Sequence, residues 1–222
     1  MTRPPLVLLP SPLLGPAVWA PVAQVLRAGG WSAALPEPLT AAPHDPEDVL
    51  RSWSNLLQDG VVLVVHSNAG LFVPALCDRH DVRGAVFVDA GLPGSEVGSM
   101  PLAPRVFLDF LRGLADDDGR LPPWTQWWPE TDALFPDEAT RRAVTAEQQR
   151  LPMAYFDAQV EVPAGWDDGL GAGYLAFGDT YAEERAAAER RGWPVRLMDG
   201  RHLHMLVDPS GVAEEIVALL SE

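Results

Sequence analysis

The run Val61-Val-Leu-Val-Val65 constrains this chain more than any other segment. Five consecutive β-branched or leucine side chains leave no polar face for water, so the segment reads as a strand covered on both sides, as in a parallel sheet flanked by helices. It passes through His66-Ser67-Asn68 into an apolar helix, about Ala69–Arg79, with almost no intervening loop. A strand that enters a helix so abruptly makes a sharp turn, and the residue at that turn, Ser67, is thrust forward beyond the strand end.

The same alternation recurs along the chain. Leu6–Pro10, Trp31–Pro36, Gly84–Asp89, Tyr174–Phe177 and Val195–Met198 are short apolar runs, separated by helical spacings at Ala17–Ala28, Val49–Leu57, Tyr181–Arg191 and Gly211–Leu220. Strands alternating with helices predict an α/β class with a doubly wound, mostly parallel sheet. The stretch 92–171 breaks the rhythm. It carries Trp124, Trp127, Trp128 and Trp166, many prolines and the acidic run Asp116–Asp118. This predicts a core of 1–91 and 172–222, interrupted by a mostly helical insertion that serves as a lid. The plainer alternative is a peripheral layer that only covers the sheet.

Three strand ends carry chemistry. A serine hydroxyl needs a base to take its proton and a geometry that holds it forward. Ser67 has the second in the strand–helix junction, whose following N–H groups face a developing oxyanion. A serine there also serves commonly as an N-cap, and the local sequence leaves both readings open. Downstream, Gly173–Asp179 puts an acid just past a strand, and Val195–Pro209 puts His202 and His204 just past the next. Catalytic groups gather at such C-terminal strand ends. The order serine, acid, histidine is a specific combination.

On these residues the chain resembles the α/β-hydrolase superfamily over nearly its whole length. Leu6–Trp19 resembles the first conserved strand, oxyanion loop and helix-start tryptophan; Val65–Gly70 the nucleophile elbow; Val86–Pro93 the lid-bearing strand end; Gly200–Pro209 the histidine loop. The resemblance implies the α/β-hydrolase fold with a helical lid. It further implies Ser67 as nucleophile, His202 as base and Asp179 as the residue orienting it. The implied oxyanion donors are the backbone N–H groups of Asn68 and Leu13. His204 competes with His202 and could instead line the pocket or hold the loop. Glu183 and Asp89 compete with Asp179, Asp89 lying at a strand end where related folds also place the acid, or else capping the segment that follows. Trp128 is a candidate pocket residue, although packing is the commoner use of such a tryptophan.

Two departures bear on activity. The elbow's usual flanking glycines are Val65 and Ala69 here, and a branched side chain must fit where a hydrogen is usual. The usual His-Gly of the oxyanion loop is Pro10-Ser11, followed by Pro12, which has no N–H to donate. The apolar loop suggests a hydrophobic acyl or polyketide-like group. The expected activity is therefore cofactor-free, serine-dependent hydrolysis of an ester, thioester or amide of a small hydrophobic molecule. The alternative is a non-hydrolytic protein of the same fold (a lyase, a cyclase or a ligand binder) using the pocket without an acyl-enzyme, and a third is a silent interaction protein.

Charge narrows the partners. Thirty-one acidic residues against 16 arginines, with no lysine, give −15 at pH 7. Such a surface repels nucleic-acid backbones and anionic membranes. The absence of lysine excludes a Schiff-base lysine. Cys77 stands alone, so no disulfide forms within the chain, and the five histidines show no metal-ligand spacing. No signal or membrane segment is apparent, which makes a cytoplasmic location the expectation. Oligomeric state is not legible.

Overall fold

The computed structural model describes residues 3–94 and 97–221. Strands β1 (Leu6–Leu9), β2 (Ala33–Ala34), β3 (Val61–Ser67) and β4 (Val82–Ala90) alternate with helices α1 (Ala20–Ala28), α2 (Pro46–Ser54) and α3 (Val73–Arg79). The segment after β4 then supplies β5 (Gly98–Pro101), α4 (Arg105–Leu114), α5 (Glu138–Glu147), α6 (Met153–Asp157) and β6 (Gln159–Val162). The alternation resumes with β7 (Gly171–Phe177), α7 (Ala182–Arg190), β8 (Val195–Met198), α8 (His204–Val207) and α9 (Pro209–Leu219).

Six strands form one sheet in the order β2-β1-β3-β4-β7-β8, and every pairing in it is parallel. The chain builds outward from β1 to β2, returns to β3, and then proceeds the other way. The switch point therefore lies between β1 and β3, where the carboxyl ends of neighbouring strands open a crevice. All seven residues of β3 are buried, as its unbroken apolar run requires. Helices α1 and α9 pack together, as do α2 and α3, and the right-handed crossovers general to parallel sheets place such pairs on opposite faces.

The inserted segment is not wholly helical. It also holds an antiparallel pair, β5 with β6, in which Met100 lies opposite Val160. Strand β7 begins at Gly171, earlier than its apolar run suggests, because Gly171 and Gly173 add backbone pairing without apolar side chains. No helix among the described residues is long and apolar enough to cross a membrane.

The junction after β3 differs from a simple helix start. Asn68–Phe72 is a 3-10 segment, and the α-helix begins only at Val73. Pro74 supplies the physical reason: it has no N–H to give the carbonyl of Gly70. The close backbone approach at this junction falls on Gly70, not on the elbow's flanking Val65 and Ala69, which are fully buried without needing to be glycine. A Cβ on Gly70 would lie 2.1 Å from the carbonyl oxygen of Gly91, a fixed backbone atom. Gly70→Ala is expected to cost about 2–3 kcal/mol of unfolding free energy, the penalty of overpacking a rigid site, read from urea denaturation. An Ala69→Gly change is expected to cost less than half as much, because nothing needs to move.

Candidate active site

Ser67 sits at φ 57°, ψ −128°, a strained backbone that only a tight surrounding sustains. Its side chain makes no capping bond to the following turn, which removes the N-cap reading. Instead Ser67 Oγ lies 3.2 Å from His202 Nε2. On the far side of the ring, His202 Nδ1 is 2.6 Å from Asp89 Oδ2. A carboxylate only accepts, so His202 Nδ1–H donates to Asp89, and Nε2 is left to accept the serine hydroxyl.

Asp89 is thus the acid the fold brings to His202, and Asp179 is not. Asp179 lies just past β7, but Gly178 at φ 63° turns the chain there. The Asp179 carboxyl ends on the surface, 88% exposed, with Arg185 as its partner at 3.3 Å. Asp89 is fully buried. The β3–β4 register explains its aim: His66 pairs with Val88 and Ser67 with Ala90, so Asp89 is an extra residue between them. This bulge carries Asp89 at φ 42° and swings its carboxyl toward the histidine loop. Oδ1 accepts the Phe177 N–H at 3.1 Å. Tyr174 O–H donates to the Ala90 carbonyl at 2.7 Å, and the Ala90 N–H returns to the same hydroxyl at 3.2 Å. The bulge is bonded on both sides.

His66 holds His202 from below. Its Nε2–H donates to the His202 carbonyl at 3.0 Å, and its ring lies 4.5 Å from that of His202. Full burial, together with the nearby His202, holds the His66 imidazole far below the usual histidine range and hence neutral. His204, the competing base, packs its ring against Phe177 at 5.4 Å and crowds Gly200, where it holds the loop. Glu183 is exposed on α7.

Tyr181 is the residue that sequence reasoning missed. Its hydroxyl lies 3.3 Å from Ser67 Oγ. Ser67 already gives its proton to His202, so the phenol is the donor. Burial pushes the Tyr181 pKa up, which keeps that proton in place across the working pH range. The only available signal was its position four residues past the β7 strand end.

Ser67 and His202 open into a cavity of about 710 Å³. Leu13 and Asn68, the expected oxyanion residues, both line it. Leu13 N–H has only a weak bond, 3.4 Å, to the Ser11 hydroxyl of its own turn. The inserted segment contributes Met100, Leu102, Phe107, Trp124, Trp127 and Trp128. Trp128 is at once packing and pocket: it stacks on Phe110 at 5.6 Å and meets Trp127 at the same distance. The Asn68 side chain ties elbow to insert, donating to the Leu102 carbonyl at 2.8 Å and accepting the Tyr155 hydroxyl at 2.9 Å. No cluster of three potential metal ligands occurs among the described residues. Burial pushes the Cys77 thiol up to about 12, so it is inert.

The chain aligns along its full length with known structures. An extracellular α/β-hydrolase from a Paenibacillus species superposes with a TM-score of 0.77 at 16% identity, over 98% of this chain and 99% of that one. Polyneuridine aldehyde esterase gives 0.75 at 16% identity over the whole of both chains, and a methylesterase from Arabidopsis gives 0.74 at 14% over 99% of each. The chain has the α/β-hydrolase fold. No protein-family profile and no curated protein matches its sequence. In this chain the likeness lies in the backbone, and its side chains must argue their own chemistry.

Two outcomes test the geometry. Asp89→Asn is expected to lower kcat for an activated ester by about 10³–10⁴-fold, through loss of the tautomer that leaves Nε2 free, whereas Asp179→Asn stays within about twofold. The depressed pKa of His66 means that the unfolded chain binds a proton the native one refuses. Stability is therefore full above the usual histidine pKa of ~6.5 and falls as pH drops below it, by up to ~1.4 kcal/mol per pH unit for this one site. His66→Gln, which keeps a donor, should flatten that part of the pH profile in denaturation midpoints measured from pH 7 to pH 5.

Proposed function

We propose that this chain is a serine hydrolase that cleaves esters, including thioesters, of small hydrophobic molecules through an acyl-enzyme on Ser67. The observation that carries the reading is the unbroken chain Asp89–His202–Ser67, ending in a large cavity with an apolar wall. The names of the structural neighbours, esterases and a methylesterase among them, support it as a reading of this fold.

Ser67 Oγ attacks the carbonyl carbon while His202 Nε2 takes its proton. Asp89 holds the imidazole in the required tautomer and stabilises the cation that forms. The backbone N–H groups of Asn68 and Leu13 receive the oxyanion, a contribution of ~3 kcal/mol per donor in measured cases. Imidazolium then gives its proton to the leaving group. Water, deprotonated by the same nitrogen, releases the acyl group and restores Ser67. The Tyr181 hydroxyl donates to Ser67 Oγ in the resting state. It favours the developing alkoxide before attack and the expelled serine oxygen after it. The segment 92–171 acts as a lid: its aromatic side chains roof the cavity, and Asn68 couples its position to the elbow.

A second reading keeps the pocket without the acyl-enzyme. It is favoured by Tyr181, which occupies the space beside Ser67 Oγ and could hand a proton to a bound ligand instead. A fluorophosphonate probe separates the two. The hydrolase reading expects stoichiometric labelling at Ser67 and turnover of p-nitrophenyl butyrate that falls at least 10³-fold in Ser67→Ala. Full turnover by Ser67→Ala, or a folded protein that refuses the probe, would sink it.

A further inference from the structure

Glu184 has no part in the chemistry above, yet its side chain lines the same cavity as Ser67 and His202. It lies in the first turn of α7, half-buried, and no side chain among the described residues forms an ion pair with it. Its neighbours in sequence are settled differently: Glu183 is exposed, and Arg185 is engaged by Asp179 and the Gly178 carbonyl. Burial, with Glu183 and Asp89 nearby, raises the Glu184 pKa.

A carboxylate in the first turn of a helix also suits the helix dipole. Exposed Glu183 already meets that need at no desolvation cost. The dipole therefore does not explain why a second carboxyl is turned into an apolar chamber.

The remaining lining sharpens the point. Phe107, Trp124, Trp127, Trp128, Phe156 and Tyr181 supply aromatic rings, and no arginine is among the lining residues. The carboxyl groups at this site are Glu184 and, beneath the histidine, Asp89. An anionic substrate meets repulsion with no compensating cation. An ammonium group meets a carboxylate and aromatic faces, the two kinds of partner that recognise it best.

We infer that Glu184 and the aromatic wall form a subsite for a cationic group, so that the preferred substrates are esters of hydrophobic molecules carrying a tertiary or quaternary ammonium. The inference rests on the hydrolase reading for its turnover but not for its binding.

A pair of isosteric esters tests it: benzoylcholine, and 3,3-dimethylbutyl benzoate, in which carbon replaces the charged nitrogen. In the native protein kcat/KM for the cationic ester is expected to exceed that for the neutral one at least tenfold, and Glu184→Gln should bring the ratio toward one. Glu183→Gln, which removes an equal charge outside the cavity, should leave the ratio above half its native value. A native ratio near one overturns the inference, as does an equal loss in both variants, which would mean a diffuse field and no subsite. Tryptophan fluorescence titration of Ser67→Ala with the same two esters reads binding apart from chemistry. Tighter binding of the cationic ester, lost in Ser67→Ala/Glu184→Gln, sustains the subsite even if the native protein hydrolyses neither ester and the hydrolase reading falls. Equal binding of the two esters overturns the subsite even if both are hydrolysed.

Discussion

The hydrogen bond between Asp89 and His202 depends on one extra residue in a strand. Without the slip between His66↔Val88 and Ser67↔Ala90, residue 89 would continue the alternation of β4 and point at a sheet face. The bulge breaks that alternation and points a fully buried carboxyl along the crevice. A buried carboxylate is costly unless its oxygens are bonded. Both are: one to His202 and one to the Phe177 N–H. The same backbone slip sets Gly91 N–H against the Ser67 carbonyl at 3.0 Å, so the strained serine and the strained aspartate brace each other across β3 and β4.

The inserted segment is fastened to the core at both rims of the crevice. On the β1 side, Glu147 at the end of α5 accepts the Ala17 N–H at 2.7 Å, and Gln149 donates to the Leu39 carbonyl at 2.8 Å. On the β3 side, Asn68 binds Leu102 and Tyr155. The inserted segment is thus hydrogen-bonded directly to the residue that follows Ser67.

Much of this was legible in the sequence, for reasons that differ by element. The valine run of β3 could only be a covered central strand, and the strand–helix junction beside it placed Ser67. The spacing from β8 to Pro209 placed His202. Asp89 and Asp179 were harder to separate, because both follow apolar strands and a bulge leaves no mark in hydrophobic periodicity. The deciding fact is conformational: Gly178 turns Asp179 out to Arg185, and the slip in β4 turns Asp89 in. The two-stranded piece β5–β6 was hidden for another reason. Gly98, Ser99 and Pro101 have little strand propensity, and only pairing with Gln159–Val162 makes them a strand.

Moving the acid to β4 has a consequence at the next strand end. The loop after β7 has no histidine to orient, so its side chains are free to face the chamber. Thr180, Tyr181 and Glu184 all line the cavity. Tyr181 reaches Ser67 Oγ itself, while Asp179 is left outside with Arg185. The bulge that brings Asp89 to His202 thus also leaves the Gly178–Glu184 stretch free of that contact. Beside Ser67, Asn68 and His202, the three lining residues of that stretch are the polar members of a lining that is otherwise apolar and aromatic.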